Sequence, residues 1–136
     1  MTTIEEDYVS FETSKLLKEK GFNEKLLTFY ITDEAKKEGY FQLMAFTDDK
    51  IDNNHSDYCY LAPTLQMAMK WLREIHNIGI FPSTYTHIVD RKTTHSYGTA
   101  IISLKTYELM IDNYLSNDTY EGAVEAAIKY CLENLI

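Results

Sequence analysis

The stretch Thr119-Tyr-Glu-Gly-Ala-Val-Glu-Ala-Ala-Ile-Lys-Tyr-Cys-Leu-Glu-Asn-Leu135 decides the fold. Tyr120, Val124, Ala127, Cys131 and Leu135 recur at helical spacing and form one apolar stripe, which predicts an amphipathic helix with that stripe in the core. Asp118 and Glu121 stand at capping-box spacing and mark its expected start. Such a helix needs an apolar surface to cover, and the residues before it read as strands. Gly98–Lys105 is one, with Tyr107–Asp112 extending or returning it. Ile78–Val89 is another, bent or at an edge because Pro82 brings no ladder N–H.

Further back the pattern repeats. Leu65, Ala68, Leu72 and Ile75 fall at helical spacing with Trp71 beside them, which predicts a helix over Thr64–His76. Pro63 suits its start and Asn77 its end. Before it, Leu26–Ile31 and Tyr40–Thr47 are rich in β-formers and are joined by the polar segment Thr32–Gly39, the pattern of a hairpin. Asp48–Asp57 reads as a polar loop, and Tyr58–Ala62 as a short extended piece. At the N-terminal side, Ser10 can cap a helix over Phe11–Lys20. Gly21 suits the left-handed position beyond it, with Phe22 folding back on Leu17. Lys15, Lys18 and Glu19 lie away from a small apolar face, so this helix reads as surface cover. Residues 1–8 read as a disordered end.

Thr64-Leu-Gln-Met-Ala-Met69 aligns with Thr119-Tyr-Glu-Gly-Ala-Val124, each after a strand pair. The expected architecture is therefore α+β: an N-terminal helix followed by two ββα-like units, a mostly antiparallel sheet packed by three helices. The 136 residues suit one domain with one core.

Composition narrows the function. The formal charge is −8, and residues 1–57 hold 13 acids against 7 bases. Binding to a phosphate backbone needs a basic face, so direct nucleic-acid binding is disfavoured. The N-terminal Met-Thr-Thr-Ile-Glu-Glu-Asp lacks the basic start and apolar run of a signal peptide, and no stretch is long and apolar enough for a membrane span. A cytoplasmic location follows as the expectation, with Cys59 and Cys131 reduced.

The candidate chemistry is sparse. His55-Ser-Asp-Tyr-Cys59 places an imidazole, the Asp57 carboxylate and a thiol within five residues, all of them zinc-ligand types. No Cys-x-x-Cys or His-Glu-x-x-His supplies further ligands, and the segment reads equally as a polar loop running into a strand with a buried Cys. Counted from Asp52, the loop has Asp57 where an EF-hand needs Gly and Pro63 where it needs an acid. His55, His76, His87 and His95 offer partners for a nucleophilic thiol, but Cys131 sits on the core stripe and neither Cys opens a helix. No Gly-rich phosphate loop or Gly-x-Ser-x-Gly elbow occurs. No catalytic, metal or cofactor residue is assigned. Trp71 and Arg73, types that anchor interfaces, are the speculative contact residues, set against a Trp71 that simply fills the core.

Three segments carry a resemblance. They are Tyr8-Val-Ser-Phe-Glu-Thr-Ser-Lys-Leu-Leu-Lys-Glu-Lys-Gly-Phe22, Ala62-Pro-Thr-Leu-Gln-Met-Ala-Met-Lys-Trp-Leu-Arg-Glu74 and the 119–135 stretch. Together they resemble a group of small proteins encoded by gut Bacteroidales bacteria and their phages and mobile elements. Gly122 departs from the acid expected there, a small local destabilisation. The resemblance implies a phage or mobile-element origin and carries over no catalytic residue.

Three functional expectations follow. The first is a non-enzymatic binding module acting on a host or phage protein, with a homodimer as one form of it. The second is a small enzyme with an unfamiliar site around His55, Asp57 and Cys59. The third is an acidic decoy of a nucleic-acid-binding protein, which requires the carboxylates of residues 1–57 to share one face.

Overall fold

The computed structural model describes residues 4–32, 42–45 and 49–136, with the backbone alone at 112–116. The chain has an α+β fold, built as two compact units that meet at Thr64/Leu65. Among the described residues no helix is long and apolar enough to cross a membrane.

The first unit holds helix α1 (Phe11–Glu19) and strands β1 (Thr28–Ile31), β2 (Gln42–Ala45) and β3 (Cys59–Leu61). The α1 ends form as the sequence predicts. The Ser10 hydroxyl accepts from the Thr13 N–H at 3.2 Å. At the other end Gly21 takes φ +90°. The Phe22 N–H then reaches the Leu17 carbonyl at 2.9 Å and the Gly21 N–H the Lys18 carbonyl at 3.2 Å, the paired bonds of a Schellman motif. Leu17 and Phe22 are fully buried.

The sheet order is β2-β1-β3, so β1 is central and both its neighbours run antiparallel to it. Leu26 falls outside β1 and instead exchanges two backbone bonds with Ile51. The expected Asp33–Gly39 part of the hairpin loop, and Tyr40, Phe41, Phe46 and Thr47 of the second strand, lie outside the described residues. Tyr8 is tied down by an antiparallel bridge to Thr64, and the Val9 N–H donates to the Pro63 carbonyl at 3.0 Å, so order begins earlier than residues 1–8 suggest. Val9 is also fully buried, which gives that end an apolar anchor.

The second unit holds α2 (Leu65–His76), β4 (Ile78–Val89), β5 (Lys92–Ser103), β6 (Leu109–Asn117) and α3 (Tyr120–Asn134). The three strands form a second antiparallel sheet in the order β4-β5-β6, with α3 packed on all three and α2 on β4. Each of α2 and α3 thus follows three strands rather than two. The strand orders also differ, since the central strand comes first in the first sheet and second in the other. Leu72, Val124 and Cys131 are each 0% exposed. The ends of the expected stripes are not core: Ile75 is 58% exposed, Tyr120 is exposed and Leu135 half-buried. Asn77 closes α2 at φ 55°, as its position predicts.

The β4–β5 hairpin is the longest feature, with twelve residues of β4 paired in unbroken register from Ile78↔Ser103 to Val89↔Lys92. Its two-residue turn, Asp90-Arg91, has φ 50° and 65°, the signature of a type I′ turn. In such a hairpin the pair flanking the turn exchanges two hydrogen bonds, and every second pair from it does the same. Val89/Lys92, His87/Thr94 and Tyr85/Ser96 are therefore bonded pairs. Pro82, opposite Thr99, falls on the alternate set whose N–H would point out of the sheet, so its missing donor costs this ladder nothing. β4 is the edge strand that Pro82 predicts.

Candidate functional site

The 55–59 segment is folded by its own side chains. The Asp52 carboxylate accepts from the Asn54 N–H at 2.9 Å, the Asp52 carbonyl from the His55 N–H at 3.2 Å, and the Ser56 hydroxyl from the Tyr58 N–H at 3.1 Å. These local turns leave His55 and Asp57 exposed, while Cys59 enters β3 and is buried. Burial pushes the Cys59 thiol above its ordinary value, and the Lys18 charge and a hydrogen bond to Ser56 offset only part of that rise. A thiol held in its protonated form is a poor nucleophile and a poor metal ligand. Among the described residues no group of three or more His, Cys, Asp or Glu stands where it could hold a metal ion.

What dominates this segment is Lys18. Its ammonium donates to the Ser56 carbonyl at 2.9 Å and to the Cys59 carbonyl at 2.8 Å, and lies 4.7 Å from the centroid of the Tyr60 ring. The expectation that Lys18 points away from the apolar face is corrected. Its stem runs along the half-buried side of α1 and its head satisfies loop carbonyls. Phe11, two turns earlier on the same face of α1, meets Tyr30 and Tyr60 edge-on at 5.6 and 5.5 Å, and the Tyr30 hydroxyl donates to the Val9 carbonyl at 2.7 Å.

Asn53 is the second fastener of this unit. It is buried, its Nδ2 donates to the Phe22 carbonyl, and its Oδ1 accepts from the Leu61 N–H at 2.9 Å. Its own N–H donates to the Asn23 side chain at 2.8 Å. One polar side chain thus joins the exit of α1 to β3. The nearest signal in the sequence was only the density of Asn and Asp around it.

In the second unit, Trp71 is 6% exposed and meets His76 edge-on with ring centroids 4.6 Å apart. Arg73, two positions on and so near the opposite side of α2, is exposed. The helix does not bring the two into one surface, and Trp71 takes the core role. Cys131 is fully buried, and its thiol is pushed up to about 12 by that burial. Burial also lowers the His76 pKa, and its Nε2 is enclosed without a hydrogen-bond partner among the described residues.

The outer part of the β4–β5 hairpin is a surface that composition did not flag. β6 pairs with β5 only over Tyr97–Ile102, so among the described residues Lys92–Ser96 have β4 as their one strand neighbour. Ile78, Thr99 and Ile101 are buried and share one face of this ribbon, the face toward the helices. By alternation Phe81, Tyr85, His87 and Val89 lie on the other. Phe81 is 48% and Val89 64% exposed. Cross-strand side chains brace the ribbon: His87 Nε2 lies 2.9 Å from the Ser96 hydroxyl and His95 Nδ1 3.3 Å from the Thr86 hydroxyl. The ribbon presents aromatic and branched apolar groups beside the Arg91 and Lys92 cations, a composition suited to protein contact.

No family model, no curated protein and no solved structure matches the chain.

Proposed function

We propose that the chain is a non-enzymatic protein-binding module that acts in the cytoplasm on a host or phage protein. The origin of the chain in a phage or mobile element rests on the resemblance of its helical segments to Bacteroidales proteins. The observation that carries the binding role is the outward face of the β4–β5 ribbon, where Phe81 and Val89 are both exposed on either side of Tyr85. Exposed apolar side chains on a braced ribbon gain free energy when a partner covers them, and the bracing lowers the ordering cost of binding.

The test is capture. The tagged chain is incubated with host lysate and retained proteins are compared with those held by a Phe81→Ser/Val89→Asp variant whose folding is verified by circular dichroism. A specific partner whose retention falls at least about tenfold in the variant supports the reading. Equal retention by both proteins, or turnover of a small substrate by the wild-type chain, overturns it.

A further inference from the structure

We infer that the edge of β4 between Pro82 and the Asp90-Arg91 turn, which no strand covers among the described residues, pairs with the same edge of a second copy of this chain, joining two β4-β5-β6 sheets into one. The outward-facing backbone donors of β4 in this segment belong to Thr84, Thr86 and Ile88, because their partners on β5 are the wide, non-bonded pairs with Tyr97, His95 and Thr93. Edge strands of natural sheets are commonly guarded by charge, by Pro or by brevity. Ser83–Val89 contains no Asp, Glu, Lys, Arg or Pro and runs straight into a tight turn.

A second copy fits this edge in one register. With Thr86 opposite the partner's Thr86 on a two-fold axis, Thr84 faces the partner's Ile88 and Ile88 the partner's Thr84. Every outward donor then meets an outward carbonyl, each pair exchanging its two bonds. Moving the register by two residues one way sets Pro82, which has no N–H, against the partner's Ile88. Moving it the other way sets Thr84 against the partner's Asp90, which has left the strand at φ 50°. In the centred register these two limits coincide, since Pro82 faces the partner's Asp90. Pro82 and the turn therefore delimit a pairing segment that is complementary to itself.

Charge also favours this occupant. The chain carries −8, so two copies repel across most of their surfaces. The strand segment has no Asp, Glu, Lys or Arg and ends in Asp90, Arg91 and Lys92, where the bases outnumber the acid, so the approach along it avoids the excess of acids carried elsewhere. Side chains on the paired edge are compatible as well: Thr86 lies against its own copy, Thr84 against the apolar Ile88, which is 74% exposed in the single chain.

The inference rests on the reading of the chain as a binding module, and its test separates the two. The full chain and two edge variants, Thr86→Lys and Thr86→Glu, are compared by sedimentation across the micromolar range. Wild type is expected at twice the mass of one chain. Each variant alone places like charges across the axis and should weaken association by at least about tenfold, while an equimolar mixture restores a mixed dimer. Hydrogen exchange supplies the second readout, with the Thr84, Thr86 and Ile88 amides protected in wild type and fast in either variant alone. A monomeric wild type, or a dimer indifferent to both substitutions, overturns the inference while leaving capture of another protein to stand or fall by the Phe81/Val89 variant. Protection of these amides in a monomer also overturns it, because the edge is then covered by the chain itself.

Discussion

The Lys18 ammonium lies 2.8 Å from the Cys59 carbonyl oxygen, a contact across 41 positions of sequence that fastens α1 to the start of β3. The same ammonium holds the Ser56 carbonyl and faces the Tyr60 ring. Lys18→Met keeps the apolar stem and removes the charge. It should destabilise the first unit by about 2 kcal/mol, the scale of hydrogen bonds to a charged donor in a half-buried site. Urea unfolding checks it, and a change within the noise of a surface substitution would show that the clamp is not structural.

Asn53 supports a sharper expectation. Asn53→Ala strips partners from the Phe22 carbonyl and the Leu61 N–H, and should cost about 3 kcal/mol because buried polar groups are left unsatisfied. Asn53→Asp keeps an acceptor for Leu61 but sets a carboxylate against the Phe22 carbonyl, so it should be no better than Ala. Denaturation midpoints of the two variants decide the ranking.

Gly122 gives a prediction whose sign depends on a neighbour. A Cβ there would run into the Asn117 side chain, whose Oδ1 accepts from the Thr119 N–H at 3.1 Å. Gly122→Ala alone should therefore fail to deliver the usual helix-propensity gain of about 1 kcal/mol, and in an Asn117→Ala background it should recover most of it. A double-mutant cycle by thermal unfolding measures the coupling. An additive result would mean that Asn117 moves aside freely.

Acid should weaken the second unit through His76. Burial lowers its pKa in the folded chain below the ordinary 6.5, so the unfolded state binds the proton more readily. Stability is then fully present above pH 6.5 and declines as pH falls from there through the folded value. His76→Phe keeps a ring against Trp71 and removes the titration. Unfolding curves taken from about pH 7 to 5 should slope less for this variant than for wild type.

Much of the architecture was legible because it rests on local signals. Ser10, Gly21, Asn77 and Pro82 each act within a few residues of themselves, and each stands where its chemistry places it. The α3 stripe was equally readable, although the cap is the Thr119 hydroxyl, which accepts from the Gly122 N–H at 3.0 Å, rather than Asp118. The first half of β5 was missed because Asp90-Arg91 lacks the Gly of the usual type I′ turn and Lys92–Ser96 is polar on both faces. Lys18 was misread and Asn53 passed over for a different reason: the carbonyls they hold lie 31 to 41 positions away, and no local pattern announces a carbonyl that needs a donor. The outward ribbon face became visible only when the hairpin register assigned each side chain to a side.

The central place of β1 also shapes how the chain is made. Thr28–Ile31 leaves the ribosome before Gln42–Ala45 or Cys59–Leu61 exists, so the middle of the first sheet must wait, with Phe29 uncovered, for both of its neighbours to be synthesised. The second sheet has no such delay, because β4 zips onto β5 through a two-residue turn and β6 follows at once. The first unit, although it precedes the second along the chain, is therefore the one whose central strand stays unpaired longer during synthesis.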